Sequence, residues 1–224
     1  MLLEIPMSLQ FYAHPFSSYC QKVLTALYEN ATPFTWQVIG EDAEASRTFA
    51  ALWPLKRMPV LVDAGHTVME ASIIIEHLQL HHAGPVRLIP VDAQAALDVR
   101  LLDRFFDNYV MTPMQRIVGD FLRPPEQRDA RTVADARAML DDAYRWLDGQ
   151  LAGRTWAAGD AFTLADCAAA PALFYADWVQ PIGEDCPAVR AYRNRLLARP
   201  SFARAVDEAR PYRSYFPPGA PDRD

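Results

Sequence analysis

The chain has 224 residues, 22 of them basic and 28 acidic, with 51% hydrophobic and 22% charged residues. That ordinary globular composition excludes a disordered chain and is enough for one large or two small domains with a substantial core. The formal charge of -6 argues against a nucleic-acid partner, and no stretch approaches the roughly 18 uninterrupted apolar residues of a membrane span. Residues 1–7 contain Glu4 and Pro6 and lack a basic-then-apolar run, so they do not read as a secretory signal. Cys20, Cys167 and Cys186 are odd in number and far apart. They form neither a disulfide framework nor a metal knot, which fits a reducing, cytoplasmic setting. Lys22 and Lys56 are the two lysines in the chain, and a coding bias toward arginine is the bland cause.

In chain order, residues 8–12 read as a short strand, rich in aromatic and apolar side chains. Ser17 or Ser18 then supplies a helix N-cap, and Val23, Leu24, Leu27 and Tyr28 recur at helical spacing. Residues 34–39 form a second β-rich run. After a weak connecting segment, residues 59–63 and 66–69 form two more, joined by Ala64-Gly65 as a hairpin. A helix follows over residues 71–82, and the alternation stops at Gly84-Pro85. Splitting there leaves net charges of -4 and -2 on the two parts, neither of them a nucleic-acid footprint.

Beyond Pro90 the pattern is helical. Residues 91–119 carry a stripe at Leu97, Leu101, Phe105 and Val110. Residues 126–151 form a proline-free helix with Val133, Met139, Leu140, Tyr144 and Leu147 inward. Residues 163–178 are apolar around most of the helix and belong at the centre of a bundle. Residues 187–197 and 201–209 are shorter helices, and the tail, 211–224, has four prolines and reads as extended or disordered. The expected organisation is α/β followed by all-α: an N-terminal unit over 1–84, a linker over 85–91, a helical unit over 92–210, and the tail.

Three places in the first part carry more than packing. In His14-Pro15-Phe16-Ser17-Ser18-Tyr19-Cys20-Gln21-Lys22, a strand ends at a helix start, where free backbone N–H groups and partial positive charge stabilise an anion such as a thiolate. A serine hydroxyl there adds a hydrogen bond, or merely caps the helix. In Arg57-Met58-Pro59-Val60 the proline opens a strand; trans is the default, and a cis bond would expose the Met58 backbone to an extended peptide. In Met69-Glu70-Ala71-Ser72, a carboxylate precedes a helix start, so an ammonium at Glu70 and a carboxylate at the N–H groups of Ala71 and Ser72 would together hold an α-amino-acid end.

Taken together, these motifs resemble cytosolic glutathione transferases of the serine type, theta- or zeta-like, over almost the whole chain. The resemblance implies a thioredoxin-like N-terminal domain (βαβ-α-ββα), an all-helical C-terminal domain, glutathione as co-substrate with no metal, a small hydrophobic electrophile as second substrate, and a homodimer. It places the activating hydroxyl on Ser17, with Ser18 as the alternative. It places glutathione along Lys56, Met58, Pro59, Glu70, Ala71 and Ser72, with Asp103 reaching across a dimer. The electrophile pocket would lie among His14, Phe16, Phe106, Tyr109, Met114 and Trp178, and Tyr212, Tyr215 and Phe216 would fold over it or stay disordered. Gly159-Asp160-Ala161-Phe162-Thr163-Leu164-Ala165-Asp166 looks like the family's N-capping box.

Ala71 departs from the pattern, since the family usually has serine there. Ser17-Ser18-Tyr19-Cys20 lacks the first cysteine of a redox Cys-X-X-Cys, so Cys20 reads as a buried small hydrophobe and Tyr12 as core. His77 and His81 are four apart on a helix, with no third metal ligand beside them in the sequence. A glutathione-dependent isomerase or reductase, or a non-catalytic module on the same fold, would share these residues.

Overall fold

Apolar alternation along the first strand sets the centre of the N-terminal sheet. The computed structural model describes residues 9–224, so Ser8 and the reading of residues 1–7 lie outside the described residues. Strand β1 (Leu9–Ala13) buries Leu9, Phe11 and Ala13. It pairs in parallel with β2 (Phe34–Val38) and antiparallel with β3 (Val60–Asp63), which pairs antiparallel with β4 (His66–Met69). The order is β2-β1-β3-β4. Helix α1 (Ser18–Glu29) makes the crossover a parallel pair requires. The weak segment is helix α2 (Ala43–Leu52), started by Asp42, whose carboxylate accepts from the backbone N–H groups of Glu44 and Ala45. Ala64 and Gly65 both take positive φ, 48° and 84°, as a two-residue hairpin demands. Helix α3 (Ala71–His81) completes this half.

The second half is helical throughout. Helix α4 (Ala93–Phe105) runs through a π-helical stretch, Phe106–Met111, into α5 (Thr112–Phe121), so the single helix expected over 91–119 has a widened turn inside it. The expected inward stripe holds at Val110, which is fully buried, and at Phe105, which packs on the core, and is corrected at Leu97 and Leu101. Leu97 and Leu101 are 58% and 61% exposed, while Ala96, Val99, Leu102 and Phe106 make the buried face. This helix carries two apolar stripes, and periodicity alone does not say which one meets the core. Helix α6 (Ala130–Leu151) starts at the Asp129 cap, four residues later than expected, after a short 3-10 turn at Pro125–Gln127. Helix α7 (Leu164–Val179) is buried almost all round and occupies the centre, followed by α8 (Pro187–Leu197) and α9 (Pro200–Ala209).

Helix α1 is held between the two halves. It packs on α3 on one side and on α7 and α9 on the other, which buries even Gln21, Lys22 and Thr25. The tail is ordered rather than extended. A 3-10 segment, Arg210–Tyr215, leads to buried Phe216, and the last residues are tied by ion pairs from Asp224 to Arg210 and Arg213 and from Arg223 to Asp177. The prolines shape this tail, and its aromatic and charged side chains anchor it.

The capping box forms at the head of α7. Asp166 has no exposed surface, and its carboxylate accepts from the N–H groups of Ala157 and Thr163, both at 2.8 Å, and from the Tyr192 hydroxyl. Asp166→Ala strands these donors and the Thr163 hydroxyl, which also donates to the carboxylate at 3.1 Å, and should cost about 3–5 kcal/mol, while Asp166→Asn, which keeps one acceptor oxygen, should cost about half as much. Urea denaturation of the two variants checks the order; equal losses would contradict it.

Candidate active site

Two cavities meet at the start of α1. The first, about 530 Å³, is polar and lies between the two halves. Its N-terminal wall is Ser17, Tyr19, Met58 and Pro59 with Glu70 and Ala71, and Lys56 and Arg57 stand at its rim. Across from them, α4 and the π-helical stretch contribute Arg104, Asp107 and Asn108, and α5 contributes Gln115. The second cavity, about 390 Å³, is more apolar and is walled by Phe16, Met114, Val118, Tyr175, Tyr215 and Phe216. Ser17, Arg57 and Gln115 line both.

Ser17 is the N-cap of α1. Its hydroxyl accepts from the Cys20 N–H at 3.5 Å, a long contact, and its own N–H donates to the His14 carbonyl at 3.0 Å. Ser18, the alternative, is the first residue of the helix, largely buried, and lines the second cavity alone. The Met58–Pro59 bond is cis, against the trans default. Burial pushes the Cys20 thiol up to about 12, which leaves it protonated and inert. Tyr19 is also pushed up to about 12, by burial first and the Asp107 charge second, so its hydroxyl remains a donor.

Behind the polar cavity lies a buried ionic cluster that the sequence did not suggest. Lys22, 1% exposed, places Nζ 2.6 Å from Asp103, 2.8 and 2.9 Å from the two oxygens of Asp107, and 2.9 Å from the Ser72 hydroxyl. Ser72 donates to Asp103 at 2.8 Å, and the Arg104 guanidinium pairs with both aspartates from the cavity side. Burial lifts the Asp107 carboxyl above the usual carboxylate range; Lys22 and Arg104 pull it back, and the Asp103 charge adds to the rise.

Several expected site residues stand elsewhere. Ser72 points inward to Lys22 and Asp103, about 100° round α3 from Ala71. Asp103 is 2% exposed and occupied within its own chain, so it does not reach a neighbouring subunit. Phe106 is fully buried in the core, and Tyr109 is half exposed beside Phe105, outside both cavities. His14 sits against Tyr212 at 4.7 Å, and Trp178 packs behind the apolar wall on Phe216 at 5.1 Å. Tyr12 is half-buried in β1. Phe16 and Met114 do line the second cavity, and Lys56, Met58, Pro59, Glu70 and Ala71 the first.

The fold and the paired cavities define a thioredoxin-like domain joined to a helical one, with a small-molecule cleft between them. The family description "Glutathione S-transferase, N-terminal domain" matches residues 11–86, and "Glutathione S-transferase, C-terminal domain" matches residues 109–200. Glutathione S-transferase 3 of Zea mays is 30% identical over 214 residues, which covers 88% of this chain and 93% of the relative. FtsZ-localized protein A of Caulobacter vibrioides is 29% identical, covering 84% and 86%. A solved glutathione S-transferase of Methylobacterium radiotolerans, in complex with glutathione sulfonate, superposes with a TM-score of 0.76 at 30% identity, over 88% of this chain and 94% of that one. The chain belongs to the glutathione S-transferase family.

The ionic cluster yields a pH-dependent prediction. Lys22→Met leaves Asp103 and Asp107 facing one another with Arg104 as their remaining counter-charge, and should cost about 3–5 kcal/mol near neutral pH. A carboxyl whose native pKa is raised contributes stability while protonated and loses it as pH rises through that value. The deficit therefore shrinks on going from about pH 8 to about pH 5. Urea midpoints at both pH values check this, and a deficit that grows in acid contradicts it.

Proposed function

We propose that the chain is a glutathione transferase in which Ser17 activates the glutathione thiol for attack on a small apolar electrophile. The observation that carries the reading is the position of the Ser17 hydroxyl, at a helix N-terminus and on the seam between a polar and an apolar cavity. Glutathione would lie extended in the polar cavity, whose volume suits a small ligand. Its ammonium group meets Glu70 and its γ-glutamyl carboxylate meets the N–H groups at the start of α3. The cysteinyl backbone runs beside Met58 and Pro59, and the glycine carboxylate meets Lys56, with Arg57 beside it. Ser17 donates to the sulfur, and the partial positive charge of α1 adds to it. Together they lower the thiol pKa by about one to two units. The thiol proton leaves to solvent and the thiolate forms a C–S bond with the electrophilic carbon, whose leaving group departs with its bonding electron pair. The electrophile is held by Phe16, Met114, Tyr215 and Phe216.

Ser17→Ala should lower kcat/KM with an aryl halide about 10–100-fold and raise the thiol pKa seen in the pH profile, with glutathione still bound in calorimetry. Full conjugation activity in that variant rules out the serine role. Ala71 favours a second reading, a non-catalytic interaction module, because the usual hydroxyl to the γ-glutamyl carboxylate is missing and Ser72 is committed inward. FtsZ-localized protein A, a relative with a non-transferase name, fits that reading. Failure of the folded wild-type chain to bind glutathione in calorimetry would favour it.

The active unit is proposed to be a homodimer working in a reducing cytoplasm, where three free buried cysteines stay as thiols. Among the described residues no helix is long and apolar enough to cross a membrane. Ile73 and Leu80 on α3 are 53% and 77% exposed, like Leu97 and Leu101 on α4, and the Glu76–Arg100 ion pair sets the two helices side by side. Large apolar side chains exposed together on adjacent helices mark a contact surface. Light scattering should give twice the 25.2 kDa chain mass for the wild type and a single mass for Leu101→Glu. A monomeric wild type refutes the dimer.

A further inference from the structure

Four of the five histidines, His66, His77, His81 and His82, gather at one corner of the N-terminal half. The corner joins the C-terminal end of α3 to the β3–β4 turn. Glu70 and the glutathione cavity lie at the other end of that helix, which at 1.5 Å per residue is about 15 Å away. No step proposed for glutathione uses these side chains.

Chain folding supplies the third ligand that helical spacing lacked. Asp63 is the last residue of β3, paired with His66 across the Ala64-Gly65 turn. Its Oδ2 lies 2.8 Å from His77 Nε2 and 2.7 Å from His82 Nε2. Five residues of regular helix would set His82 about 140° away from His77. At His82, however, the backbone leaves the helix, with φ -134° and ψ 41°, and the ring returns to the same side. The three donor groups lie within 4.8 Å of one another. His81 adds a further imidazole, its ring 4.5 Å from that of His77, and His66 stacks on His77 at 6.0 Å.

We propose that Asp63, His77 and His82 form a binding site for a divalent transition metal of the Zn2+, Ni2+ or Cu2+ class. Two imidazole nitrogens and a carboxylate oxygen are the donor set such ions take. The set lacks the six or more oxygens that calcium needs and the thiolates that soft monovalent copper prefers. Bonds of about 2.0–2.2 Å to a four-coordinate ion place neighbouring donors about 3.3 Å apart. The two hydrogen bonds at Asp63 therefore need to open by about half an ångström as the metal replaces them. Side-chain exposures of 14% for His77, 16% for Asp63 and 33% for His82 leave a way in from solvent. Exposed His81 or water fills the fourth position. The ion would fasten the β3–β4 turn to the end of α3, and it is separate from the glutathione reaction.

The test uses the full-length chain without an affinity tag, freed of metal with a chelator and titrated with Zn2+ and Ni2+ in a calorimeter. One ion should bind per chain, with a higher Tm, and the Cu2+ complex should show nitrogen hyperfine coupling from histidine in its electron paramagnetic spectrum. The double variant His77→Gln/His82→Gln keeps an N–H to offer Asp63 but removes both imidazoles. It should fold, by circular dichroism, and bind at least about 100-fold more weakly. Asp63→Asn, which also keeps an oxygen acceptor, should weaken binding without unfolding the chain. Absence of binding at sub-millimolar metal, or an affinity unchanged in the folded double variant, overturns the proposal and leaves a hydrogen-bonded histidine cluster only.

Discussion

The buried ammonium of Lys22 joins three elements that are distant in the chain. Its partners, Ser72 and Asp107, lie 50 and 85 residues away, and Asp103 is the third. An ammonium has three protons and therefore satisfies a limited set of acceptors in a limited geometry. With Arg104 included, two positive and two negative charges close on one another. An apolar contact at this place would tolerate sliding of the helical half over the sheet, whereas this cluster accepts one register. Its worth lies in specificity more than in net stability, because desolvating the charges offsets much of their attraction. The start of α1, the start of α3 and the end of α4 with its π-helical stretch are three of the walls of the polar cavity, and Lys22, Ser72, Asp103, Arg104 and Asp107 join all three.

That register also explains how polar and apolar functions sit side by side. The helical domain faces the polar cavity with Arg104, Asp107 and Asn108, and, further along the same continuous helix, the apolar cavity with Met114 and Val118. The π-helical stretch Phe106–Met111 carries Asp107 and Asn108 and ends just before Met114. Insertions of this kind re-aim side chains within a continuous helix and recur at functional sites. The apolar wall is completed from the far end of the chain. Phe216 packs edge-on to Trp178 and stacks with Tyr175, and the Tyr175 hydroxyl donates to the Phe16 carbonyl in the loop that leads to Ser17. The tail therefore supports the same loop that presents the hydroxyl.

Local order was legible in the sequence wherever neighbours in the chain determine it. The hairpin at Ala64-Gly65, a serine cap at Ser17 or Ser18 and the capping box at Thr163 and Asp166 are of this kind. Lys22 and Ser72 were legible as residues near a motif, but their inward direction depends on Asp103 and Asp107 in the other half. The resemblance places Asp103 across a dimer, and nothing local in the sequence identifies Lys22 as its counter-charge. Leu97 and Leu101 looked like core because α4 has two apolar stripes. Arg57, Arg104, Asn108 and Gln115 carried no signal, since a polar side chain on a helix or loop has the same pattern whether it faces a cavity or bulk water. Nothing local pairs Asp63 with His77 and His82, which lie 14 and 19 residues further along the chain.

Ser72 and Ala71 make the coupling between core and cavity specific. With its hydroxyl held by Lys22, Asp103 and Arg104, Ser72 fixes the rotation of the first turn of α3, and Ala71 is then the residue turned to the cavity. The polar groups this wall offers are backbone N–H groups and Glu70. Glu70 takes φ +68°, a left-handed conformation that costs a non-glycine residue of order 1–3 kcal/mol and persists only where its surroundings impose it. The surroundings here are the β4 pairing on one side and the pinned first turn on the other. A glycine would relieve the conformation and lose the carboxylate. The chain keeps the carboxylate at the polar cavity, and the network around Lys22 holds the backbone that presents it.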